Sequence, residues 1–156
     1  MFLRLVCLVA CGIAAATVVA ADAVKIELKD FKLKADVKGA DDLVKFDEGE
    51  GKIGFYCNAT ATSDVKIAED GEYTIAIEAS CDEAQKVKAT FTLKVGEQVV
   101  KENFLLTSTE SKEYKFDVKL KKGEQKLSFE FLNDTYKENE YDLNFYIHGV
   151  KVEKKK

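Results

Sequence analysis

The stretch from Phe131 to Ile147 reads Phe-Leu-Asn-Asp-Thr-Tyr-Lys-Glu-Asn-Glu-Tyr-Asp-Leu-Asn-Phe-Tyr-Ile, and its side chains are rich in oxygen. From Asp134 to Asp142 it holds four acidic residues and one Lys, a local charge of −3. Asn133, Asn139 and Asn144 add neutral amide oxygens. Hard cations such as calcium take about six to eight oxygen ligands from carboxylates, amides and main-chain carbonyls. Asp142 and Asn144 lie two apart on a strand-like run, so both project from one face. Asp134 closes the preceding strand and meets them if the flanking strands pair as a hairpin. The EF-hand pattern of alternating Asp and Asn before a Gly is missing. The other meaning of the same composition is a solvated acidic loop.

Other chemistries find less support. His148 is the single histidine, so a Ser-His-Asp triad or a multi-histidine metal centre would have to use it. A lone histidine near a strand end reads as structural. A glycosidase needs two carboxylates about 5–10 Å apart across a cleft, and a small sandwich seldom offers a deep one. The expectation is a protein without catalysis. With 24 Lys and Arg against 28 Asp and Glu, the chain lacks the basic surface of a nucleic-acid binder.

Residues 1–21 read as a secretory signal peptide: Arg4 supplies the positive start, Leu5 to Val19 run without a charge, and Ala20 and Ala21 offer cleavage points. The run falls short of the roughly 18–20 residues that cross a bilayer. Cys7 and Cys11 leave with the leader, and no membrane contact is expected after its removal. Cys57 and Cys81 remain, and in an oxidising compartment they read most simply as one disulfide. Closing a loop of about 24 residues would contribute around 3 kcal/mol.

These candidates must be positioned by strands. Tyr73, Ile75 and Ile77 alternate with polar neighbours, as do Val87 through Val95, Tyr114 through Leu120, Leu127 through Phe131, and Leu143 through Ile147. Turn signals at Glu69-Asp70-Gly71, Gly96-Glu97, Lys122-Gly123-Glu124 and Asn133-Asp134 divide the runs. No helical apolar stripe competes. The pattern predicts an all-β, antiparallel jelly-roll β-sandwich over residues 22–153, with 154–156 as a basic tail.

Leu127-Ser128-Phe129-Glu130-Phe131-Leu132-Asn133-Asp134, followed by Asp142-Leu143-Asn144-Phe145-Tyr146-Ile147, resembles the end of the calcium-dependent xylan-binding modules, carbohydrate-binding module families 36 and 60. Gly71-Glu72-Tyr73 and Lys121-Lys122-Gly123 fall where those modules place a Gly-x-Tyr strand and a Gly turn. The resemblance implies a jelly-roll module in which calcium binds vicinal sugar hydroxyls. It makes Asp134 and Asp142 the metal ligands, supported by Asn133 and Asn144 and by main-chain carbonyls near Tyr136 or Tyr141. Tyr136 and Tyr141 become secondary ligand contacts. The absence of Trp suits metal-mediated capture better than ring stacking. The chain departs from the pattern where Leu143 replaces an Arg, His148 a terminal Asp and Lys29 a first-strand Glu. Relatives use the last two for a second, structural calcium, which is expected to be missing here.

The resemblance thus implies a secreted, non-catalytic module that binds polysaccharide, xylan-like or related, through calcium. The alternative is a secreted structural or protein-interaction sandwich that has lost the sugar site, which the Leu143 and His148 departures favour. Sequons stand at Asn58-Ala59-Thr60 and Asn133-Asp134-Thr135. A glycan on Asn133 would obstruct the site.

Overall fold

Alternating apolar side chains build strands throughout residues 23–156, the part of the chain that the computed structural model describes. The leader, with Cys7 and Cys11, lies outside the described residues. The strands run β1 (Val24–Ile26), β2 (Lys32–Ala35), β3 (Val44–Asp47), β4 (Lys52–Phe55) and β5 (Ala59–Ile67). Then come β6 (Gly71–Cys81), β7 (Glu83–Ala84), β8 (Val87–Lys88), β9 (Thr90–Val95) and β10 (Gln98–Leu105). The last five are β11 (Lys112–Leu120), β12 (Gly123–Phe131), β13 (Tyr136–Lys137), β14 (Tyr141–Asp142) and β15 (Phe145–Lys154). Single 3-10 turns occupy Leu28–Asp30 and Asp41–Leu43.

One sheet has the order β11-β6-β15-β4-β3, with β1 also on β15, and the other has the order β10-β9-β12-β5-β2. All pairings are antiparallel. The sheets face each other across an aromatic core. Phe91 of β9 stacks on Phe145 of β15 at 5.3 Å, and Phe55 of β4 meets Phe131 of β12 edge-on at 6.3 Å. Tyr114, Phe116, Val118 and Leu120 point inward from β11, as Leu127, Phe129 and Phe131 do from β12. Each such side chain contributes about 1.5–3 kcal/mol by burial, which makes these two strands firm walls. The architecture is the all-β sandwich that the alternation predicts.

Three local features differ from the sequence expectations. First, β12 and β15 are not hairpin partners, since they lie in opposite sheets. The chain between them crosses the open end of the sandwich and folds its own small hairpin, β13–β14. Second, the run from Val87 to Val95 is not one strand. Gln85 and Lys86 both take positive φ (52° and 65°) and turn β7 into β8 before β9 begins. Third, Cys57 and Cys81 are both buried and free, which corrects the expected disulfide. Cys81 lies opposite Phe145, and Phe145 opposite Phe55, so two strand spacings separate Cys81 from Phe55. Those spacings add to about 9–10 Å, and Cys57 follows two residues beyond Phe55. A disulfide needs Cα atoms within about 7 Å.

At the C-terminus β15 runs through Lys154, one residue into the stretch read as a tail. Lys155 then donates its backbone N–H to the Glu72 carbonyl and its ammonium to Asp117, 2.8 and 2.7 Å away. No helix among the described residues is long and apolar enough to cross a membrane.

Candidate functional site

The crossing from β12 to β15 is tied down at both ends. Asn133 Oδ1 accepts the Thr90 N–H at 2.7 Å, and its Nδ2 donates to the Lys88 carbonyl at 3.0 Å. Asn133 therefore anchors the crossing to the start of β9, with its amide oxygen already engaged. The next N–H, of Asp134, donates to Asn58 Oδ1 at 2.8 Å. Leu143 closes the other end: its side chain is fully buried, and its N–H donates to the Thr135 carbonyl at 3.0 Å. Tyr136 and Asp142 pair across the hairpin, which brings the two aspartates to one side of it.

Asp134 and Asp142 line a single cleft of about 480 Å³, together with Asp42, Lys45, Tyr56 and Cys57. Tyr136, 64% exposed, forms an outer wall, whereas Tyr141 packs its ring partly against the core. Asp134 Oδ1 is buried and has no hydrogen-bond partner. Burial pushes the Asp134 carboxyl above its usual range, and the charge of Asp142 pushes it further. Burial likewise raises the Cys57 thiol, with a smaller contribution from Asp134, so that sulfur is an unreactive wall.

Asn144 sits behind Asp142 and is buried. Its Nδ2 donates to Asp142 Oδ2 at 3.1 Å and to Asp82 Oδ2 at 2.8 Å, while its Oδ1 has no partner. The same Asp82 oxygen accepts the Tyr146 hydroxyl at 2.8 Å. His148 lies elsewhere, on the outer side of the sheet, where Nε2 meets Ser80 Oγ at 2.8 Å. It is the extra residue of a β-bulge, since Ile147 faces Ala79 and Gly149 faces Glu78.

The cleft suits a hard cation. It offers the carboxylates of Asp134 and Asp142, one oxygen of which is buried without a partner, and their mutual repulsion is one a cation would relieve. Asn144, which does not line the cleft, holds a second buried, unpartnered oxygen directly behind Asp142. Among the described residues no group of three or more His, Cys, Asp or Glu side chains forms a metal cluster. A cation here would therefore depend on amide and main-chain oxygens and on oxygens supplied by water or ligand. The sequence singled out Asp134, Asp142 and Asn144, but it gave no hint of Asp42, Lys45, Tyr56 or Asp82. Asn58 was visible only as a sequon.

Solved structures with this fold include carbohydrate-binding modules. A family 35 module from Clostridium thermocellum is 12% identical and covers 85% of this chain and 98% of its own, with a TM-score of 0.62. The CBM36-1 domain of a multidomain xylanase from the hindgut metagenome of Trinervitermes trinervoides is also 12% identical, covering 86% and 99%, with a TM-score of 0.65. A CBM36 module in complex with calcium and xylotriose is 14% identical, covering 83% and 98%, with a TM-score of 0.55. At such identities the likeness is one of fold. No curated protein matches the chain.

The class that the fold defines is thus the β-sandwich of carbohydrate-binding modules. More specifically, residues 74–156, over half of the chain, match the family described as Ca-dependent carbohydrate-binding module, xylan-binding (CBM60), and the chain belongs to that family.

Proposed function

We propose that the protein is a secreted module that binds a xylan-like polysaccharide through a calcium ion held by Asp134 and Asp142. The observation that carries this reading is the buried, unpartnered Asp134 Oδ1 in a cleft shared with Asp142. Calcium in such a place can bind two sugar hydroxyl oxygens directly, because its shell exceeds what two carboxylates fill. Asn144 contributes a neutral amide oxygen. Asn133 holds the crossing in place rather than the ion. Tyr136 and Tyr56 offer apolar ring surface beside the hydroxyl contacts, and Tyr141 supports the hairpin from beneath. Secretion rests on the leader-like residues 1–21.

One observation favours the alternative, a structural or protein-interaction sandwich without a sugar site. Leu143 is fully buried where the family pattern carries an Arg, so this chain presents no charge from that position. Two measurements decide. Calorimetry with calcium should show binding by the natural protein, and electrophoresis through a xylan gel should show retardation that a chelator abolishes. Asp142→Ala should weaken calcium about a hundredfold or more, at least the upper end of what replacing a residue that only orients a ligand costs. Absence of calcium heat at millimolar concentration would establish the alternative.

A further inference from the structure

Asp82 follows directly on β6 and does not line the cleft, yet it controls a residue that does affect it. Its Oδ2 accepts Asn144 Nδ2 and the Tyr146 hydroxyl, each at 2.8 Å, and its N–H donates to the Asn144 carbonyl at 3.0 Å. Asn144 is therefore gripped by Asp82 at both backbone and side chain. The second hydrogen of the same Nδ2 goes to Asp142 Oδ2 at 3.1 Å.

An amide can in principle be turned over, exchanging its oxygen and nitrogen. Here the exchange would set Oδ1 against carboxylate oxygens at 2.8 and 3.1 Å, with no proton between them. The orientation is consequently determined by chemistry: nitrogen toward the two carboxylates, oxygen away from them. That oxygen is buried and has no partner, although Asn144 is only 5% exposed. Such an arrangement is costly for a residue with a purely structural task, since an unpaired buried acceptor destabilises the fold.

We infer that Asp82 is a positioning residue of the cation site, fixing the Asn144 amide so that its oxygen is free for the ion while its nitrogen holds Asp142. The inference rests on the calcium reading above. Asp82 is not itself among the residues that line the cleft, and its Oδ2 is taken up by the two donors it accepts. Tyr146, two residues on from Asn144, completes the brace by donating to the same Asp82 oxygen. Residues that orient a metal's ligands typically change affinity by about 10–100-fold when replaced.

The test uses the full chain, calcium calorimetry and terbium luminescence lifetimes in light and heavy water, which count coordinated waters. Asp82→Asn leaves the shape but removes the charge that fixes the amide. Calcium affinity should fall about 10–100-fold, and the bound terbium should gain one water as the Asn144 oxygen withdraws. A purely structural role would lower the cation-free melting temperature and leave the water count unchanged. Tyr146→Phe, which removes one donor to Asp82 and keeps its charge, should act in the same direction more weakly, and it decides the matter if Asp82→Asn fails to fold. Natural affinity and water count in both variants would overturn the role of Asp82 and leave the calcium site standing. No calcium or terbium binding by the natural protein would overturn both.

Discussion

A carboxylate oxygen buried without a partner costs about 1–3 kcal/mol, and Asp134 Oδ1 is in that position at the cleft wall. Folding alone gives no reason to keep it beside Asp142, whose charge adds to the strain. A divalent ion supplies one, since it satisfies both groups together. His148 is a simpler titrating residue. Burial holds its imidazole below the ordinary value of 6.5, Glu78 and Glu50 pull it partly back, and Lys52 adds to the lowering. The fold accepts the neutral ring, which Ser80 meets at 2.8 Å. Below the ordinary value the unfolded chain takes up a proton that the folded chain resists. The stabilisation from His148 is thus whole above 6.5 and is lost as pH falls through that value toward the lowered one. The raised Asp134 carboxyl gives a slope of opposite sign, so the comparison between two proteins is diagnostic rather than the raw slope. Urea midpoints from about pH 7 to about pH 5 should fall more steeply for the natural protein than for His148→Gln, which titrates nowhere in that range. Parallel slopes would refute this assignment.

Elements were legible in the sequence where large apolar residues alternate with charges. In β11, Tyr114, Phe116, Val118 and Leu120 are all inward, as their spacing predicts. In β5 the inward residues are Ala59, Ala61, Ser63, Val65 and Ile67, and the first three are too small or polar to stand out against Thr60 and Thr62. That weak contrast hid β5, and the short β4 before it, together with Tyr56, Cys57 and Asn58, which join them. In β15 the bulge at His148 changes the inward set from Phe145 and Ile147 to Val150 and Val152, a shift that no strict period anticipates. The β7–β8 hairpin escaped for another reason. Gln85 and Lys86 both take left-handed backbone in a two-residue turn, the geometry that Asn-Gly favours. Each such non-Gly residue costs about 1–2 kcal/mol. Replacing the pair by Asn-Gly should stabilise the protein by about 1–2 kcal/mol in urea denaturation, allowing for glycine's entropy in the unfolded chain. Equal or lower stability would show that the turn is not of that type in solution.

The whole molecule assembles its site from both sheets. Asp134 leaves β12 in one sheet and Asp142 approaches β15 in the other, while Tyr56 follows β4 and Asp42 precedes β3. The two aspartates were legible because they share one short crossing. Asp82 was not, since it lies 62 residues from Asn144 and only the β6–β15 pairing brings them together. A cation held by Asp134 and Asp142 would tie the end of one sheet to the end of the other, and so bind the folded chain far better than the unfolded one. Mass action then stabilises the fold by about 2.7 kcal/mol at a hundredfold excess over the dissociation constant. For a domain of this size, 1 kcal/mol moves the melting temperature by roughly 2–4 °C. Saturating calcium should therefore raise it by about 5–10 °C. Excess chelator should reverse the rise, and magnesium, which needs a tighter octahedral shell, should reproduce little of it. With affinity about a hundredfold lower, Asp142→Ala should rise by no more than about 1–2 °C at the same calcium concentration. A calcium-dependent rise of equal size in that variant would place the ion elsewhere on the protein and detach it from this cleft.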